Sequence, residues 1–89
     1  MARRSRANII NDMLDSIQNK GGRIRQTHLM YKANLSHNQL KLYLEDLLKT
    51  EMVKKVKNKN CSYLIITDKG SEFLEKMRQM REFEKAFGL

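Results

Sequence analysis

The stretch from residue 36 to residue 67, "SHNQLKLYLEDLLKTEMVKKVKNKNCSYLIIT", constrains the fold most, because its periodicity changes midway. In the first half Leu40, Tyr43, Leu44, Leu47 and Leu48 recur at three- and four-residue spacing. That is the one-sided stripe of a helix with a buried face. Ser36 with Gln39 three residues later is the capping-box pattern, in which each side chain satisfies a backbone N–H near the other. The helix is expected to end near Thr50. The second half holds two runs of strand propensity, residues 53–57 and 62–66, joined by an Asn-Lys-Asn turn, and reads as a hairpin. Leu64 and Ile66 share one strand face, expected to be the core side.

The flanking segments complete one small domain. "SRANIINDMLDSIQNKGG" (residues 5–22) predicts a first helix. Ile9, Ile10, Met13, Leu14 and Ile17 form its stripe, Ser5 its N-cap and Gly21-Gly22 its stop. "RIRQ" predicts a short extended piece with Ile24 pointing inward. Thr27 is expected to cap a short helix, "HLMYKA", which ends in a turn at Asn34-Leu35. Thr67 is expected to cap a last helix running from Asp68 to Phe87, with Gly70 in its first turn. The order is helix, short strand, two helices, two strands, long helix. The expected class is therefore mainly α with a small β-hairpin, divided into a body of residues 1–67 and a C-terminal amphipathic helix of residues 68–89.

Charge is distributed unevenly along the 89 residues. Residues 1–67 hold 13 basic and 5 acidic residues and carry the whole net charge of +8, whereas residues 68–89 hold five of each sign. Such a split points to two surfaces with two kinds of partner. The apolar content of 40% is too high for a disordered chain. No apolar run approaches the roughly 20 residues that span a bilayer. "MARRSRANII" does not read as a signal peptide. With a single cysteine, Cys61, no internal disulfide is possible, and an intracellular location is expected.

"LSHNQLKLYLEDLLKTEMV" resembles the recognition-helix segment of the winged helix-turn-helix superfamily. "YLIITDKGSEFL" resembles the signature that closes its wing, where an apolar-Thr-x-x-Gly pattern recurs. The basic start and terminal amphipathic helix are similar to those of archaeal winged-helix dimers, the 10a-type chromatin-associated proteins and ArnR-like regulators. The likeness covers nearly the whole chain. It implies binding of double-stranded DNA by a homodimer joined through the last helix, in a transcription regulator or a nucleoid-associated, chromatin-type protein of the cytoplasm.

Four segments carry this expectation. Lys54, Lys55, Lys57 and Lys59, with Asn58 near the tip, make the hairpin basic, and no acid lies between Met52 and Ile66. Lysines on an edge strand also block aggregation. Four without an acid are more than an edge requires, and DNA phosphates would release counterions from them. On the third helix, with Leu40 at the buried centre and about 100° per residue, Asn38, Lys41, Leu42, Glu45 and Lys49 point outward. Ser36, His37, Asn38, Gln39 and Lys41 are the candidates for base edges or phosphates, and Leu42 for a thymine methyl. Arg3, Arg4 and Arg6 form a basic arm of the kind that enters a minor groove, and equally of the kind that stays solvated. In the last helix Phe73, Met77, Met80 and Phe87 follow a 4-3-7 spacing, widened by Phe83 and Leu74. The distal part of this stripe needs cover, which an identical helix would supply, preferably antiparallel.

Other functions find little in the sequence. His28, His37 and Cys61 form no metal-ligand pair, so no metal or other cofactor is expected. There is no phosphate-binding glycine loop, and the chain does not read as an enzyme. A winged-helix adaptor that binds an acidic protein is the competing reading of the lysines.

Overall fold

The computed structural model describes residues 5–89. The elements are α1 (Arg6–Asn19), β1 (Arg23–Arg25), α2 (Gln26–Lys32), α3 (His37–Lys49), β2 (Val53–Asn58), β3 (Cys61–Ile66) and α4 (Asp68–Ala86). Three helices start on a hydroxyl side chain that accepts a first-turn N–H. Ser5 accepts from Asn8 at 3.1 Å, Ser36 from Gln39 at 3.2 Å, and Thr67 from Gly70 at 3.2 Å. At α3 the box is complete, because Gln39 Oε1 accepts from the Ser36 N–H at 3.0 Å. These are the orphan donors of a helix start, and each cap is worth about 1 kcal/mol.

α2 departs from the expected cap at Thr27. It begins at Gln26, and its N-cap is Arg25, which makes no side-chain cap bond. The reason is the sheet: Arg25 pairs with Tyr63, so strand runs directly into helix and pairing sets the transition. Thr27 lies inside the first turn.

All four helices end in one way. The residue after the C-cap takes a left-handed conformation and its successor reaches back five residues, the Schellman arrangement. Gly22 N–H reaches Ile17 O at 3.0 Å, Leu35 N–H reaches Met30 O at 3.0 Å, Met52 N–H reaches Leu47 O at 3.0 Å, and Leu89 N–H reaches Glu84 O at 2.7 Å. The left-handed residues are Gly21, Asn34, Glu51 and Gly88. Glycine suits this conformation, asparagine tolerates it, and glutamate at φ +64° is strained.

The hairpin is one residue longer on each strand than expected. Asn58 pairs with Cys61, leaving a two-residue turn of Lys59, at φ +54°, and Asn60. A third strand joins it: the sheet is antiparallel in the order β1-β3-β2, with Arg23, Ile24 and Arg25 opposite Ile65, Leu64 and Tyr63. Ile24, Val53 and Leu64 point inward to meet Met13, Leu14 and Ile17 of α1, Leu29 of α2, and Leu40, Leu44 and Leu47 of α3. Each such side chain contributes roughly 1.5–3 kcal/mol by leaving water.

α4 is held to this body by a corner. Thr67 caps the helix and its hydroxyl donates to Glu51 O at 2.6 Å, while its N–H donates to Met52 O at 3.0 Å. Gly70 packs directly on that corner. A Cβ there would lie 2.4 Å from Met52 O and 2.8 Å from Ile66 Cγ1, so glycine is needed for close approach rather than for helix tolerance. Leu74 is buried and Phe73 packs on the core. Farther along, Met80, Phe83 and Phe87 are 56%, 58% and 68% exposed. No helix among the described residues is long and apolar enough to cross a membrane.

Candidate nucleic-acid interface

The outward face of α3 is built by its own amphipathicity. Asn38, Lys41, Leu42, Glu45 and Lys49 are all exposed, as the helical spacing predicts, and Leu42 is 60% exposed. Two neighbours bracket this face. On one flank, Lys55 of β2 lines a shallow cleft with His37, Lys41 and Glu45, and Gln26 from the start of α2 joins them. On the other flank, Asp46 accepts from Arg6 of α1 at 2.5 Å. Arg6 is thus the first residue of α1 and ion-paired, unlike the arm position expected for it. Arg3 and Arg4 lie outside the described residues.

The structure divides the other candidates. Ser36 and Gln39 satisfy each other's backbone at the start of α3, so their oxygens serve the cap. His37 and Asn38 stand exposed in the first turn. The wing lysines do not act as one set. Val53, Lys55 and Lys57 pair with Ile66, Leu64 and Ser62 on the inner face, the side of α3. Lys54 and Asn58 pair with Ile65 and Cys61 on the outer face. Lys59 occupies the tip.

One cationic group was missed in the sequence. Arg23 and Arg25 flank the buried Ile24 and lie over the Tyr63 ring, with Cζ atoms 4.6 and 5.8 Å from its centre. Hydrogen bonding to Tyr63, followed by electrostatic interaction with Cys61 and Tyr63, raises the Arg25 guanidinium above its ordinary value. The alternation in "RIRQ" was the available signal: an inward Ile24 puts both arginines on the other face. Among the described residues no three His, Cys, Asp or Glu side chains converge on a metal position.

Helix, two-helix turn with a capped second member, and a hairpin that closes on a third strand make a winged helix. The sequence model of the winged helix-turn-helix family matches residues 3–85. The chain belongs to this winged helix-turn-helix family. Solved winged-helix structures are similar in fold. Sso10a-2, a DNA-binding protein from Sulfolobus solfataricus, is 18% identical with a TM-score of 0.71, over 88% of this chain and 82% of that one. F93 from STIV, a winged-helix DNA-binding protein, is 18% identical with a TM-score of 0.77, over 94% and 95%. MepR, a transcription regulator of a Staphylococcus aureus multidrug efflux pump, is 12% identical with a TM-score of 0.77, over 90% of this chain and 62% of MepR. No curated protein sequence is significantly similar. The family match and the likeness to these structures agree on the winged-helix fold.

Proposed function

We propose that this winged-helix protein binds double-stranded DNA as a homodimer, as a transcription regulator or a chromatin-type protein of the nucleoid. The observation that carries the reading is the shared cleft of α3 and the wing, where Lys41 and Lys55 face the same space. α3 enters the major groove, a width that admits one helix. Asn38 and Lys41 meet base edges or phosphates, and exposed Leu42 meets a thymine methyl. Lys55, Lys57 and Lys59 neutralise phosphates of the same duplex. Arg3 and Arg4 are further candidates for phosphate contact. The second copy docks on the distal α4 stripe of Met77, Met80, Phe83 and Phe87, with Phe73 at its inner end. Its support is the exposure of Met80, Phe83 and Phe87 and the tilted contact of the Phe83 and Phe87 rings, whose centres lie 4.7 Å apart.

A salt titration tests it. Substituting Lys55, Lys57 and Lys59 by alanine should weaken binding to every duplex alike. The slope of log affinity against log salt should flatten by roughly 0.9 for each lost phosphate contact. An unchanged slope in a folded variant removes the wing from the interface.

A further inference from the structure

The alternation that sends Lys55 and Lys57 to the α3 side sends a second cationic set the other way. Arg23 and Lys54 both pair with Ile65, and Arg25 pairs with Tyr63, so the three cations share the outer face of the sheet. Neighbouring strands lie about 4.8 Å apart, which separates the Arg23 and Lys54 backbones by roughly 10 Å; Arg23 and Arg25 are about 6.6 Å apart along β1. Lys20 and His28 line the same cleft as Arg23, Arg25 and Tyr63, and no carboxylate lines it.

Tyr63 organises the arginines. Both guanidiniums lie within about 6 Å of its ring centre, where the ring quadrupole attracts a cation. Held this way, they lose less side-chain freedom when they bind an anion. The ring, engaged by guanidiniums, is a seat for cations and not a platform for an unstacked base. The chemistry that fits is backbone phosphate, and the contact carries no sequence information.

We infer that this outer face is a second polyanion site that takes the sugar–phosphate backbone of another DNA duplex. The inference rests on the proposed function and extends it: one duplex lies on α3 and the inner wing, and a second lies against Arg23, Arg25 and Lys54. A single duplex does not serve both faces. The molecule measures 49 × 30 × 22 Å, while DNA bends over a persistence length of about 150 base pairs and does not wrap so small a body. Each protomer therefore joins two DNA segments.

The experiment is a stoichiometric titration of the full chain with a 12-base-pair duplex of arbitrary sequence at low salt, followed by sedimentation. The parent chain should bind one more duplex per protomer than Arg23→Gln/Arg25→Gln, while the tighter phase keeps its affinity within about twofold. Lys54→Gln, on the other edge of the same face, should weaken only the second phase, about threefold. The Lys55/Lys57/Lys59 alanine variant should do the reverse and weaken the first. Equal stoichiometry for the parent and the arginine variant overturns the inference and leaves the proposed function intact. A matching loss in the tighter phase also overturns it, because the arginines then belong to the first footprint. Arginine-dependent capture of a polyglutamate peptide without a second duplex assigns the face to an acidic protein and overturns it too. A parent chain that binds no duplex at all defeats the proposed function itself, and this inference with it.

Discussion

The two halves of α4 have similar sequences and opposite surroundings. In the first half Gly70 touches the β2 corner, Leu74 is buried and Phe73 packs on the core. In the second half Met80, Phe83 and Phe87 continue the stripe with more than half of each side chain in water. The same apolar spacing is thus core where a body stands opposite and an uncovered surface where it does not. A stripe read from sequence says that cover is needed; it does not say what supplies it.

Substitutions can separate the halves. Leu74→Ala leaves a hole beside α1 and should destabilise the fold by about 2–4 kcal/mol in denaturant titration. A loss as small as that of an exposed site would erase the contrast. Gly70→Ala forces a methyl into the Met52 carbonyl and should cost about 1–3 kcal/mol, although alanine is the better helix former. Glu51→Gly acts on the corner beneath it. Relief of the left-handed glutamate exceeds the added chain entropy, so stability should rise by roughly 0.5–1 kcal/mol, seen as a higher melting temperature. The smallest effect on the body belongs to the distal half. Met80→Lys or Phe83→Ala, at concentrations where the chain is monomeric, should change stability by less than about 0.5 kcal/mol. At micromolar concentration light scattering should show the parent at twice the mass of Met80→Lys. A monomeric parent would remove the homodimer.

What could be read in the sequence was local. The α3 cap needs only Ser36 and Gln39, its outward face follows from a 3.6-residue period, and the hairpin follows from strand propensity around a turn. What could not be read joins distant residues. Nothing in "RIR" announces a partner some 40 residues later, and without the β1–β3 pairing Arg23 and Arg25 have no Tyr63 and no face. The Thr27 cap failed for the same reason, since sheet pairing fixes where α2 begins. Arg6 reads as part of an arm until Asp46, 40 residues on, is brought to it. The apolar-Thr-x-x-Gly pattern was visible as a pattern, but its cause, a hydroxyl bridge to Glu51 and a glycine pressed on Met52, exists only in three dimensions.

The pairing of β1 with β3 also sets an order of events in folding. β2 and β3 close over a two-residue turn, a microsecond step, whereas β1 must find β3 across the α2–α3 segment. Closing so long a loop is costly in chain entropy before its contacts are gained, so the β1 seam forms after the hairpin and α3. The same seam is the natural place for the sheet to open first, and slowed hydrogen exchange at Arg23–Arg25 would report on its closure. A polyanion laid across Arg23 and Lys54 spans all three strands and binds only the closed sheet. If the proposed outer-face site holds, mass action would let the polyanion protect the last-formed join of the domain, and DNA would be a clasp on the fold that holds it.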